Sequence, residues 1–244
     1  MAKGAENTMF TKFNSMVAGG AFALGLALTA TSAHAALLVS ASVGGAPSVA
    51  GVTYVNFDDL ANGATGAQSS GGIALTITPN ARVAVGSSSG QFAAPFISGS
   101  NGTNFGNAPG QDTTPYLTTG TSSITMQFSG LQAYLGILWG SVDDYNFLDF
   151  YNGATLVGTV SGLDVDLGAN GDQGVNGTLY VNINSDSALT NFDRVVARST
   201  QFAFEFDNIA YSANRTDVPA PGALALLGLG LVGLGAASRR RKAA

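Results

Sequence analysis

Three groups of residues in this chain have the types and spacing to do chemistry. The first pairs Asp58-Asp59, just after Phe57, with Asp207-Asn208, just after Phe206, near opposite ends of the central region. Carboxylate and amide oxygens gathered from both ends of a domain make a calcium site, because that ion takes about six to eight oxygen ligands. The competing reading is turn chemistry, since Asp and Asn cap turns through their own backbone. The second group is Trp139-Gly140-Ser141-Val142-Asp143-Asp144-Tyr145-Asn146, which holds the only tryptophan. Trp139, Asp143, Asp144, Tyr145 and Asn146 are the kinds of residue that stack on a sugar face and hydrogen-bond its hydroxyls. Against that, a tryptophan at a strand end can serve the core, and Asp143-Asp144 can be a solvated turn. The third group is the carboxylates Asp143, Asp144, Asp149, Asp164 and Asp166, from which a glycosidase would draw an acid and a base. Nothing singles out a pair, and Glu205 is the only glutamate of the central region, so the expectation is a protein that is not an enzyme.

Other chemistries are excluded. There is no cysteine and a single histidine, His34. Lys3 and Lys12, the apolar run Val17 to Ala30 and the small residues of Ala33-His34-Ala35 form the three parts of a secretory signal, with Ala36 the first mature residue. Removal of that leader takes His34 with it. The mature chain then has no Ser-His-Asp triad, no Cys–His pair and no His- or Cys-ligated zinc. No Gly-Lys-Ser/Thr phosphate loop is present, and the Asp/Asn/Gly run at 164–177 lacks the spacing and closing glutamate of an EF-hand.

Charge narrows the partners. Charged residues are 10% of the 244, against about 25% in an ordinary globular protein. From 36 to 217 four arginines face fourteen acidic residues and there is no lysine. Nucleic acid is therefore not a partner, because phosphate binding needs the opposite sign. Divalent cations and neutral glycans remain compatible.

The C-terminus carries a second address. Val218-Pro219-Ala220-Pro221 leads into the uncharged run 222–237, and Arg239-Arg240-Arg241-Lys242 follows. Such a run makes a short apolar helix, and its basic end stays on the cytoplasmic side. Prolines 219 and 221 keep the approach extended and open to a processing enzyme. At these residues the chain resembles the PEP-CTERM proteins of bacteria, although Ala220 stands where their motif usually has glutamate. The resemblance implies a Gram-negative source and export, with signal peptidase and the secretion machinery as first partners. It further implies a transient inner-membrane stage on the C-terminal helix, processing by exosortase, and delivery to the cell surface or exopolysaccharide matrix. Within it, Val218, Pro219, Ala220, Pro221, Arg239, Arg240 and Arg241 are the sorting residues, while Ala33, Ala35 and Ala36 mark signal cleavage. A plain tail anchor that keeps the protein in the periplasm is the alternative. The segment from Trp139 to Gly153 and the ending Phe204-Glu205-Phe206-Asp207-Asn208-Ile209-Ala210-Tyr211 also resemble recurrent parts of these surface proteins. Those matches imply a lectin-like or carbohydrate-binding-module sandwich. A carbohydrate-binding module with calcium holding its loops is the alternative function.

The elements that must position these groups are strands. Period-two runs rich in Val, Ile, Thr, Phe and Tyr, bounded by Gly, Asn, Ser and Pro, predict strands at Leu37–Val43, Val52–Phe57, Ile73–Thr78, Arg82–Gly86, Ser123–Phe128 and Ala133–Trp139. Others follow at Phe147–Tyr151, Thr155–Val160, Thr178–Asn184, Asp193–Arg198 and Phe202–Tyr211. Asn152-Gly153 predicts a hairpin. Phe202, Phe204 and Phe206 alternate with Ala203, Glu205 and Asp207, which predicts one buried face and one wet face. Two long polar segments, Gly86 to Ser122 and Gly162 to Gly177, remain as loops, the first pinned by Phe92, Phe96 and Phe105. No run reads as an amphipathic helix. The expectation is all-β: a signal peptide at 1–35, a single antiparallel β-sandwich of jelly-roll or lectin-like type at 36–217, and a hydrophobic sorting tail at 218–244.

Overall fold

Alternation with a period of two builds this protein, and its two sheets use that alternation differently. The computed structural model describes residues 37–45 and 51–215. The signal-cleavage residues Ala33, Ala35 and Ala36, and the tail from Val218 to Ala244, lie outside them. Among the described residues no helix is long and apolar enough to cross a membrane.

The strands are β1 (Leu37–Ser42), β2 (Thr53–Val55), β3 (Gly66–Ser70), β4 (Ile73–Ile77), β5 (Arg82–Ala84), β6 (Phe96–Ile97), β7 (Gly110–Gln111) and β8 (Tyr116–Thr118). They continue with β9 (Ser123–Gln132), β10 (Tyr134–Gly140), β11 (Asn146–Asn152), β12 (Thr155–Ser161), β13 (Leu179–Ser185), β14 (Phe192–Ser199) and β15 (Glu205–Ser212). A seven-stranded sheet runs β1-β13-β10-β15-β8-β5, with β2 also on β15, and a six-stranded sheet runs β12-β11-β14-β9-β4-β3. Their pairings are antiparallel. One apolar cluster takes residues from both sheets, including Leu135, Ile137, Trp139, Phe206 and Ile209 from one and Ile124, Met126, Phe150 and Val195 from the other. That shared core makes the fold an all-β sandwich.

The six-stranded sheet keeps a wet outer face. β4 alternates buried and exposed residues along its length. On that face Arg198 makes a two-point ion pair with Asp149, through Nε at 2.6 Å and Nη2 at 3.2 Å, and its guanidinium lies 4.3 Å from the Phe147 ring.

The seven-stranded sheet is buried on both faces at its centre, in β10, β13 and β15. Every residue of β10 is buried. Its inward set is Leu135, Ile137 and Trp139, while Tyr134 and Leu138 pack outward with Tyr180, Ala210, Ile97 and Phe105. The cover is the 86–115 segment, which carries β6, β7 and the single helical turn α1 (Ser100–Thr103). Phe105 packs edge-on against Tyr54 at 5.2 Å, and Phe92 against Tyr116 at 6.5 Å, so the loop phenylalanines do pin this segment down.

This cover corrects one sequence-based expectation. The face of β15 expected to be wet carries Ala203, Glu205 and Asp207 at 6%, 2% and 0% exposure. The strand also starts at Glu205 rather than Phe202, and Phe202 is 51% exposed. Alternation marks which residues share a face; it does not show what lies over that face. β3, β6, β7 and β8 also escape the sequence pattern, because they are short and β3 reads Gly-Ala-Gln-Ser-Ser. The hairpin between β11 and β12 forms as expected. Asn152 pairs with Thr155, so Gly153-Ala154 makes the turn, with Gly153 at φ +56°.

Trp139 stacks on Phe204 at 4.3 Å and 26° within the inter-sheet core, and nothing of it reaches solvent. Replacement by alanine is expected to lower stability by about 3–5 kcal/mol, as for other buried large-to-small changes. Trp139→Phe should cost much less, because it keeps the aromatic stack and removes an indole N–H that has no partner. Urea unfolding midpoints of the two variants check this, and equal losses would show that the stack contributes little.

Candidate functional site

Two polar sites lie on the covered side of the seven-stranded sheet. The first is a pocket of about 460 Å³ bounded by segments 87–93, 141–145, 170–173 and 202–205. Glu205 sits at its base, held in place by β15. Its Oε1 accepts the Ala93 N–H at 3.0 Å, while Oε2 is buried without a partner. Burial, aided by Asp143, pushes the Glu205 carboxyl up to about 8, against the pull of the Ala93 N–H. Asp143 is 7% exposed, and burial holds its carboxyl above its ordinary value although a Tyr145 hydrogen bond opposes the shift. The Phe202 carbonyl oxygen, 3.3 Å from the Tyr145 hydroxyl, is a second acceptor within reach of that one O–H. Gly171, at φ +71°, lets the 170–173 segment close over this corner: a Cβ there would stand 2.7 Å from Asp143 Oδ1.

The second site is a carboxylate cluster built by an irregularity in β15. Asp207 pairs with Leu138 and Ala210 with Gly136, so Asn208 and Ile209 together face one residue of β10. That is a β-bulge, with Asn208 at φ +49°. On its other edge β15 changes neighbour at the same place, pairing with β8 through Phe206 and with β2 from Ile209 onward. Asp112, preceding β8, interacts with Asp207 in that gap, and Asp58, following β2, acts on it electrostatically. Asp207 is fully buried, and burial together with Asp112 and Asp58 holds its carboxyl well above its ordinary value.

The expected residues therefore separate. Asp58 lies close enough to Asp207 to act on its carboxyl electrostatically. Asp59 instead accepts a hydrogen bond from Ser70 at 2.6 Å, and the Asn208 amide donates to the Asn101 carbonyl at 2.8 Å. Asp143 and Tyr145 line the pocket and Asp144 is exposed. Trp139 is buried in the core and has no face for a sugar, and Asn146 is buried between Ser199 Oγ and the Ala203 carbonyl. Of the other carboxylates, Asp149 is held by Arg198, while Asp164 and Asp166 accept local hydrogen bonds from Ser161 and Gly168. Among the described residues no three His, Cys, Asp or Glu side chains stand as a group ready to hold a metal. Sequence reasoning missed Glu205 as a pocket residue and Asp112 as a member of the cluster. The first was masked by the alternation that assigned it to solvent, the second by its place in a long polar loop.

Residues 217–242 match the family model of the PEP-CTERM protein-sorting motif. The chain carries a PEP-CTERM sorting signal. Val218, Pro219, Ala220, Pro221 and Arg239, Arg240 and Arg241 all fall inside the matched segment. This motif implies export, processing by exosortase and sorting to the cell surface. No curated protein and no solved structure matches the chain. The PEP-CTERM match thus accounts for where the protein goes, and the sandwich must account for what it does there.

Glu205 yields a pH dependence. Its folded-state value of about 8 lies above the ordinary 4.5, so between those values the folded chain holds a proton that the unfolded chain has released. Stability then falls as pH rises across that window, by up to about 1.4 kcal/mol per pH unit, and levels off above the folded-state value. Glu205→Gln is expected to flatten this part of the profile. Melting temperatures of both proteins from pH 5 to 9 check it, and parallel curves would remove Glu205 from the account.

Proposed function

We propose that this exported protein resides on the cell surface or in the extracellular polysaccharide matrix, and that its sandwich binds a neutral saccharide in the pocket over Glu205. The observation that carries this reading is the lining of the pocket. Phe202, half exposed at the rim, stands with Phe92 and Tyr145 around a ring of hydroxyl and amide groups that includes Ser87, Gln91, Asn170 and Gln173. Aromatic faces beside hydrogen-bonding side chains suit a sugar ring and its hydroxyls. None of the lining residues is basic, so an anionic ligand would find no counter-charge there, while the Glu205 and Asp143 carboxyl groups can hydrogen-bond hydroxyls. In this reading the protein binds without turning its ligand over.

One observation favours a second reading. Glu205 and Asp143 are two carboxyl groups directed at one polar pocket, the residue types that glycoside hydrolysis uses as acid and base. Release of reducing ends from matrix polysaccharide, lost in both Glu205→Gln and Asp143→Asn, would establish it.

Two expectations follow from the main reading. Phe202→Ala and Gln173→Ala should each weaken retention on polysaccharide from the producing cells by about tenfold, with melting temperatures unchanged. Retention unaffected in both variants would remove the pocket as the binding site. For sorting, the mature protein should have an intact mass lacking residues 1–35 and the tail beyond Val218–Pro221, and should fractionate with the surface or matrix. A species that keeps its tail in the inner membrane would make this a tail-anchored periplasmic protein.

A further inference from the structure

We propose that Asp58, Asp112 and Asp207, with the side-chain oxygen of Asn107, bind a calcium ion that clamps the 86–115 cover onto the seven-stranded sheet. The inference starts from oxygens left over after the hydrogen bonds are assigned. Both carboxylate oxygens of Asp207, Oδ2 of Asp112 and Oδ1 of Asn107 are buried without a hydrogen-bond partner. Asp207 is 0%, Asp112 3% and Asn107 7% exposed. Buried carboxylate oxygens without donors are costly, and in folded proteins such charges are paired or coordinate a metal.

The neighbours of these oxygens are already arranged around them. Thr114 donates to Asp112 Oδ1 through its backbone N–H at 2.8 Å and its hydroxyl at 2.7 Å, which leaves Oδ2 as the free oxygen. The same hydroxyl accepts from Asn107 Nδ2 at 2.9 Å, which leaves the amide oxygen of Asn107 free. Asn56 Nδ2 holds Asp58 Oδ2 at 2.6 Å and also reaches the Phe105 carbonyl at 3.2 Å, so the β2 end is tied to the same loop. Asp207 interacts directly with Asp112 and feels Asp58. Two carboxylates in contact inside a protein repel unless a proton or a cation lies between them.

Among the described residues no side-chain cation makes an ion pair with these carboxylates. Arg198 is committed to Asp149, Arg194 lies 4.1 Å from the Tyr151 ring and bonds the Gly153 carbonyl, and Arg82 lies 6.0 Å from the Phe92 ring. An irregular shell of carboxylate and amide oxygens is what calcium accepts, whereas magnesium demands near-octahedral geometry. Asp207, Asp112 and Asn107 are the buried members of the proposed shell, and Asp58, exposed just after β2, is its outer member. The elements joined are distant in sequence: the end of β2, the 107–112 loop and the bulge of β15.

The test uses the purified mature protein, stripped with EDTA and dialysed. Addition of 10 mM CaCl₂ should raise its melting temperature by about 5 °C, given the millimolar to submillimolar affinities of extracellular calcium modules. Magnesium at the same concentration should give less than half that shift. Asp207→Asn and Asp112→Asn should abolish the calcium shift. Asp58→Asn, at an exposed position where folding is not at risk, should reduce it at least twofold, with matching loss of calcorimetric heat on calcium titration. Three outcomes would each overturn the proposal: no shift and no heat with calcium, equal shifts with magnesium, or a calcium shift that survives in all three variants.

Discussion

Strand β15 has apolar packing on one face and the 86–115 cover on the other, so every polar residue that its alternation turns outward is turned into protein. Phe204, Phe206 and Ile209 fill the inter-sheet core. Glu205 and Asp207 are the outward counterparts, and neither reaches solvent. Burial of an acid without a basic partner is expensive, and the cost is met by neutralising it, by hydrogen bonds or by a metal. Glu205 meets it with a retained proton and the Ala93 N–H. Asp207 has no hydrogen-bond partner for either oxygen. Both polar sites of this protein are consequences of that one strand lying under a cover.

The bulge at Asn208 explains why the two sites are separate rather than continuous. Before it, β15 pairs with β8 and Glu205 faces the loops that end β10; after it, β15 pairs with β2. The change of neighbour opens a gap in the sheet, and polar residues flanking β2 and β8 fill it. Without the bulge Asp207 and Asn208 would point to opposite faces, since successive residues of a regular strand alternate. Asn208 is then free to anchor the cover through the Asn101 carbonyl, while Asp207 faces Asp112.

Much of the sandwich was legible because long strands with clean alternation announce themselves, as β4, β9 and β14 do on the half-wet sheet. The doubly buried sheet was legible in position but not in environment. Glu205 and Asp207 alternate with phenylalanines in just the manner of a solvated edge, and only the path of residues 86–115, separated from them by a hundred positions, reveals otherwise. Asp58 and Asp207 were recognisable as candidate oxygen ligands because each follows a phenylalanine at the end of an apolar run. Asp112 was not, because a Thr two residues later marks only a local turn, and the long-range contact it makes leaves no trace in spacing. Trp139 shows the same limit: an aromatic next to Asp and Asn reads alike in a sugar site and in a core. The sorting signal is different in kind. It is read as a linear string of prolines, apolar residues and arginines, so sequence alone suffices for it.

The cover also couples the two sites. Residues 87–93 form one wall of the pocket, and residues 107–112 supply two side chains of the carboxylate cluster, within one continuous segment that crosses the face of the sheet. Glu205 ties that crossing to β15 at Ala93, and Asn208 ties it at Asn101. Restraint applied at the Asp112 end limits the conformations open to the Phe92 end, and a wall already in place lowers the ordering cost of binding a ligand there. With no cysteine for disulfide cross-links, so long a segment is held by non-covalent packing and polar contacts. Phe92 and Phe105 supply the packing, and the acid and amide groups of the segment supply the fixed points.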